Sequence, residues 1–117
     1  MQQLLRATQL YGEHCLDREI TTGCGADLMS DVLAFTKDGA LLLTGLTNPQ
    51  VVRTADVGGI AAVIFVRGKL PSPEAAEMAK SLEIPLFTTR FTLFEACGIL
   101  FSRGLLPCPP VGKNLEA

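Results

Sequence analysis

Apolar residues in the C-terminal two-thirds of the chain fall into short uninterrupted runs that alternate with segments of helical spacing. The runs at 40–46, 60–66 and 85–88 have the length and aliphatic content of strands buried on both faces. Segments with apolar positions three and four residues apart follow each run. Strands that alternate with helices through short links predict a parallel sheet with right-handed crossovers.

Helix-start signals follow each of these runs. Asn48 and Ser72 each precede a proline, so each is predicted to cap a helix that has Pro at its first position. Thr92 and Glu95 have the spacing of a capping box, and the helix that they begin is predicted to reach Gly104. The fold class is therefore α/β, a single compact domain with a mostly parallel sheet of four to five strands.

The N-terminal third has a less regular pattern and is predicted to add a helix and a strand to this sheet. Residues 2–10 are predicted to form a helix, and residues 18–22 a strand at one edge of the sheet. Residues 28–33 are predicted to form a short helix, with Ala26 or Asp27 near its N-cap.

Length and composition place the chain among single-domain proteins. The domain is assigned to residues 1–104, and the Pro-rich residues 105–117 are predicted to be an irregular tail. A net charge of −2 argues against nucleic acid as a partner. The longest apolar run, 60–66, is too short to cross a membrane, and no signal peptide is recognised, so a cytoplasmic protein with reduced cysteines is expected.

An apolar content of 48% in a chain of this size predicts more hydrophobic surface than one small core hides. A sheet of four or five strands also has an open edge that must be covered or paired. Both features predict a homodimer, and the segment that ends at Leu33 is the expected contact because it does not fit the regular βα pattern.

Polar residues follow the predicted strands at the edge where ligands bind to open parallel sheets. Cations and hydroxyls at the ends of neighbouring strands suit a small anionic ligand such as a phosphate or carboxylate. The alternative is that these loops are polar only because they are solvated. The candidate ligand-binding residues at this edge are Thr47, Asn48, Arg67, Lys69, Thr88, Thr89 and Arg90.

A second set of candidate ligand-binding residues is Asp27, Ser30 and Asp31, which place three oxygen-bearing side chains within five positions. They suit a ligand's hydroxyl groups or a Mg²⁺ ion, and a small metal-dependent enzyme built on them is one hypothesis. Ordinary helix capping accounts for the same residue types. His14, Cys15 and Cys24 lack the spacing of metal ligands.

No phosphate-loop motif and no nucleophile–base pair is recognised in the sequence. Neither an enzyme activity nor a cofactor is therefore expected.

Four ordered segments carry a resemblance to a known family. Residues 23–33 read Gly-Cys-Gly-Ala-Asp-Leu-Met-Ser-Asp-Val-Leu and resemble the signature segment of the DRTGG domain family. Residues 47–52, 61–71 and 84–89 resemble further elements of the same family, and the resemblance covers 17–100. Thr22 and Cys24 depart from it: Thr22 stands where the family has the first glycine of a pair, and Cys24 where it has an aromatic residue.

The resemblance implies an α/β domain similar to the N-terminal domain of HPr kinase. In regulated pyrophosphatases such a domain belongs to an adenine-nucleotide-sensing region. The sequence is therefore interpreted as a non-catalytic regulatory domain that binds a small anionic ligand, with an adenine nucleotide as the example. The alternative is a protein-interaction module that docks onto a partner enzyme or signalling protein and has no small-molecule ligand.

Overall fold

Six strands of the described chain form one sheet in the order β1-β5-β4-β3-β2-β6. The computed structural model describes residues 5–11, 20–36 and 38–108, with Tyr11 and Phe35 described by their backbone alone. The strands are β1 (Thr8–Tyr11), β2 (Thr22–Gly25), β3 (Leu41–Thr44), β4 (Ala62–Phe65), β5 (Leu86–Thr88) and β6 (Leu106–Pro107). The helices are α1 (Met29–Phe35), α2 (Pro49–Val57), α3 (Pro73–Leu82) and α4 (Leu93–Ser102).

The direction of the crossovers determines which face each helix covers. From β2 to β5 the chain moves one strand at a time in the same direction, and all these strands are parallel. After β5 the chain returns across the sheet to pair β6 with the far side of β2. A right-handed crossover in the reverse direction places its helix on the opposite face, which is where α4 lies. The predicted α/β fold is confirmed.

Two hydrophobic layers flank the sheet because successive side chains of each strand point to opposite faces. Leu42, Val63 and Phe65 pack on the face that α1, α2 and α3 cover. Leu41 and Ile64 point to the other face, where α4 and the N-terminal Leu5 cover them. Strands buried on both faces explain the uninterrupted apolar runs in the sequence.

The predicted caps of α2, α3 and α4 are confirmed. The Asn48 side chain accepts a hydrogen bond from the backbone N–H of Val51, and Ser72 accepts from that of Ala75. Thr92 and Glu95 form the reciprocal capping box. The hydrogen bonds from the Thr92 backbone and hydroxyl lower the pKa of Glu95. The contribution of this carboxylate to stability is therefore present at neutral pH and is lost as the pH falls through its lowered pKa.

The N-terminal predictions need correction. Residues 8–11 form a strand antiparallel to β5 and not the end of a helix, because the open edge of β5 offers backbone hydrogen bonds to Thr and Tyr, which favour strands. Residues 2–4 lie outside the described part of the chain. The strand predicted at 18–22 begins at Thr22, continues to Gly25 and lies between β3 and β6, away from the sheet edge. Residues 18 and 19 lie outside the described part.

Two more local predictions differ from the structure. The N-cap of α1 is Leu28 and has no side-chain capping bond, because the carboxylate of Asp27 turns towards β3. Leu106 and Pro107, assigned above to an irregular tail, pair with the outer edge of β2, an edge position that tolerates proline. β1 and β6 together bring the described sheet to six strands. Residues 109–117 lie outside the described part.

A substitution at the end of α3 is expected to stabilise the protein. Glu83 has a left-handed backbone with φ of 58°, and the N–H of Ile84 donates to the carbonyl of Ala79, as in a Schellman motif. Glycine adopts this conformation without the strain of a side chain, so we expect Glu83→Gly to raise the free energy of unfolding by about 1 kcal/mol. Urea unfolding measures it. The control Ser81→Gly, inside the helix, is expected to lower stability, and a loss with Glu83→Gly would contradict the cap geometry.

Candidate functional site

A crevice opens between the carboxyl ends of β4 and β5, where two neighbouring strands send their chains to opposite faces of the sheet. The chain leaves β4 towards α3 on one face, and it leaves β5 towards α4 on the other. Crevices of this origin are where ligands bind in open α/β sheets. The antiparallel β1 adds to this edge, because Thr8 lies opposite Thr88 and the residues before Thr8 therefore reach beyond the end of β5.

A cavity of about 310 Å³ occupies this crevice. Its cationic groups come from Arg6, which precedes β1, and from Arg90, which follows β5. Three threonines and the aromatic ring of Phe91 form most of the remaining wall. The described residues that line it are Leu5, Arg6, Thr8, Gly68, Thr88, Thr89, Arg90 and Phe91.

The loop after β4 is held in a fixed conformation at this cavity. Arg67 and Gly68 both have left-handed backbones, with φ of 58° and 67°, and the N–H of Lys69 donates to the carbonyl of Val66 at 3.2 Å. This is the geometry of a type I′ turn. The backbone N–H groups of Arg67 and Gly68 also donate to the loop after β5, at 2.8 and 2.7 Å. The loops after β4 and β5 are therefore joined, so the rim of the cavity that they form is fixed before a ligand binds.

Two of the three threonine hydroxyls in the cavity lining hold its walls together. The Thr89 hydroxyl is buried and donates to the carbonyl of Leu5 at 2.6 Å, which ties the N-terminal segment to the end of β5. The Thr88 hydroxyl donates to the carbonyl of Lys69 at 2.7 Å. Since the hydrogens of these two hydroxyls are used within the protein, the side-chain donors that remain for a ligand are the two arginines and the hydroxyl of Thr8.

Arg6 and Arg90 have exposed side chains. Within residues 5–11, 20–36 and 38–108, neither guanidinium has an ion-pair or hydrogen-bond partner, and no carboxylate belongs to the described lining. A guanidinium presents a planar fork of donors that matches phosphate and carboxylate oxygens. The cavity is therefore suited to an anion.

A second polar cluster connects the ends of β2, β3 and β4. One carboxylate oxygen of Asp27 accepts from the Thr44 hydroxyl at 3.0 Å and from the Gly45 N–H at 2.8 Å. The Lys69 ammonium donates to the Gly45 carbonyl at 3.0 Å. These contacts satisfy the buried hydroxyl of Thr44 and fix the loop after β3, so the cluster has a structural role that needs no ligand.

The structure separates the candidate residues into groups. Thr88, Thr89 and Arg90 line the cavity, whereas the side chain of Arg67 is not part of its lining and that of Lys69 reaches the Asp27 cluster.

The other candidates lie at helix starts. Ser30 and Asp31 are exposed in the first turn of α1. Asn48 caps α2, and the carbonyl of Thr47 accepts from the N–H of Ser72.

Sequence reasoning missed Leu5, Arg6, Thr8 and Phe91 as parts of the cavity. The helix predicted at 2–10 hid the first three, because it did not place Thr8 beside β5. The strand-favouring residues Thr8 and Tyr11 were the only local signal for the strand that brings Arg6 to this edge.

Cys24 and Cys97 do not have the environment of reactive thiols. Burial is the main cause that raises the pKa of both Cys24 and Cys97, so both thiols are protonated at neutral pH. Within the described ranges, no three His, Cys, Asp or Glu residues are grouped as metal ligands. His14 and Cys15 lie outside those ranges.

No protein-family model matches the chain, and no curated protein matches it. Among the described residues, no helix combines the length and the apolar character needed to cross a membrane.

Proposed function

We propose that this domain is a non-catalytic regulatory module that binds a small phosphorylated ligand in the crevice between β4 and β5. The observation that carries the proposal is the pairing of Arg6 and Arg90 in one cavity whose described lining contains no acidic residue. A dianionic phosphate placed between two guanidiniums would form charge-assisted hydrogen bonds with both. The joined loops of the rim favour binding because little conformational entropy is lost when the ligand enters.

The size and shape of the cavity favour a ligand of mononucleotide size. Its volume of about 310 Å³ lies at the lower end of the range typical of ligand sites. Phe91 provides an aromatic surface on which a planar base can pack. An adenine mononucleotide combines a base with a phosphate, so it is the first ligand to test.

The resemblance to the DRTGG family supports the same proposal. The resembling segment 61–71 contains β4 and the loop after it, and the segment 84–89 contains β5 and Thr89. The resemblance implies adenine-nucleotide sensing, and an adenine nucleotide has the phosphate and the planar ring that this cavity suits.

A regulatory role is proposed in preference to catalysis because of the groups that face the ligand. The described lining offers arginine, threonine and apolar side chains, without the His, Cys, Asp or Glu that would act as a general base or nucleophile. These side chains suit the binding of a ligand and not a reaction on it.

A thermal-unfolding panel tests this function. We expect AMP, ADP and ribose 5-phosphate to raise the melting temperature, whereas adenosine at the same concentration leaves it nearly unchanged because it lacks the phosphate. A ligand at about 100 times its dissociation constant adds roughly 2.7 kcal/mol of stability, which is a shift of roughly 10 °C for a chain of this size. Samples matched in ionic strength control for general salt effects. Unchanged melting with every phosphorylated compound at millimolar concentration would overturn the proposal.

A further inference from the structure

A separate, apolar groove lies between α4 and the β2–β6 edge of the sheet. Its volume is about 370 Å³, and no charged residue belongs to its described lining. The floor contains Gly23 and Gly25, where an added Cβ would lie 2.5 Å from Leu105 and 2.6 Å from Cys97. The absence of side chains at these two positions lets α4 and Leu105 pack close to β2.

The helix above this groove has an apolar outer surface. Phe94 is 90% exposed and Phe101 is 65% exposed. They are seven residues apart, so they lie on one side of α4, two turns from each other. Gly98 lies between them on the same side, and a Cβ there would meet nothing within 4 Å. Two projecting rings therefore flank an open space along the helix.

The topology explains why this surface is uncovered. Three helices cover one face of the sheet, whereas α4 and the segment at Leu5 are the described elements that cover the other. The β2 end of that face is left with the groove and with Leu106, which is also exposed. Exposed aromatic rings beside an apolar groove are typical of a protein contact surface.

We propose that a second copy of this chain occupies this surface through a two-fold contact between the α4 helices. The same side of α4 carries both the projecting rings and the space that receives them, which is the self-complementarity that a two-fold interface requires. An axis midway between Phe94 and Phe101 places Phe94 of each copy beside Phe101 of the other. Gly98, next to that axis, permits close approach of the helices.

Charge and area favour a second copy as the occupant. Glu95 is the one charged residue of α4, and its carboxylate is held in the capping box. Two α4 helices therefore meet without like charges that face each other along their length. With roughly 200 Å² for a phenylalanine side chain, Phe94 and Phe101 alone contribute about 300 Å². This is more than a third of the roughly 800 Å² that each partner buries in a standard interface. The lining of the groove adds to it.

The proposed dimer contact lies on α4 and not on the N-terminal segment through Leu33 that the sequence predicted. Leu28 and Leu33 are exposed there, but no aromatic ring is among the exposed large apolar side chains that the structure describes in that segment. The α4 surface combines two such rings with a groove.

Analytical ultracentrifugation tests the proposal. We expect the wild-type chain to sediment at micromolar concentration with twice the 12.5 kDa mass of one chain. The double variant Phe94→Glu, Phe101→Glu is expected to weaken self-association by more than about 100-fold and to sediment as a monomer, because it places charges in an apolar contact. Since both rings are exposed, the variant should keep its fold, which circular dichroism checks.

The control is Leu70→Glu, which introduces one glutamate, half the charge of the double variant, at an exposed leucine in the loop before α3 and is expected to remain a dimer. A wild-type chain that stays monomeric as concentration rises would overturn the proposal and leave the surface to a different protein. A double variant that remains a folded dimer would also overturn it. Neither result depends on the anion site, because Arg6 and Arg90 lie outside this groove.

Discussion

Replacing Arg6 and Arg90 together by glutamine is expected to abolish binding of phosphorylated ligands at concentrations that saturate the wild-type protein. Each arginine would supply charge-assisted hydrogen bonds, which contribute about 1.5–3 kcal/mol each. Loss of both is therefore expected to weaken binding by at least about 100-fold. Isothermal titration calorimetry with AMP measures the change.

The fold should survive this double substitution, because both side chains are exposed and neither has an ion-pair or hydrogen-bond partner within the described residues. Arg103→Gln is the matched control, since it removes the same charge from an exposed site that does not line the cavity. Each single variant is expected to show an intermediate affinity. If the double variant binds AMP as tightly as the wild type does, the ligand does not occupy this cavity.

Asp27→Ala is expected to lower the free energy of unfolding by about 3 kcal/mol and to leave ligand affinity nearly unchanged. The substitution removes two hydrogen bonds to a carboxylate, and it leaves the buried Thr44 hydroxyl and the Gly45 N–H without this acceptor. Urea unfolding measures the stability, and calorimetry with AMP measures the affinity.

Two variants separate the contributions of Asp27. Asp27→Asn keeps an oxygen acceptor and loses the charge, so we expect a smaller loss, about 1 kcal/mol. Asp31→Ala changes an exposed carboxylate in the first turn of α1 and is expected to alter stability by less than about 0.5 kcal/mol. A large loss of ligand affinity with a folded Asp27→Ala variant would show that this residue binds the ligand directly.

The parts of the fold that the sequence predicted are those in which local pattern and tertiary context agree. β3, β4 and β5 are buried on both faces, so their apolar runs are uninterrupted, and α2, α3 and α4 begin at capping residues that bond within three positions. β1 and β6 are different, because each forms by pairing with an edge of the existing sheet. Local propensity does not encode that edge.

The same distinction applies to the candidate site. Thr88, Thr89 and Arg90 were found because ligands bind at the carboxyl ends of parallel strands. Arg6 was missed because it reaches this edge through the contact of Thr89 with Leu5, 84 positions away in the sequence. Asp27 was predicted to cap a helix or bind a ligand, and only the folded arrangement of β2 and β3 shows that its carboxylate bonds to Thr44 and Gly45.

A titration of the isotopically labelled protein with AMP, followed by backbone amide NMR, tests the location of the proposed site most directly. We expect saturable shifts at Arg6, Gly68 and Thr88 to Phe91, which surround the cavity between β4 and β5. Amides of Gly23 and Gly98, which line the apolar groove and not the cavity, serve as internal controls and should not move. Shifts centred on Asp27 and Asn48, or no saturable shift at millimolar AMP, would contradict the proposed ligand site in this cavity.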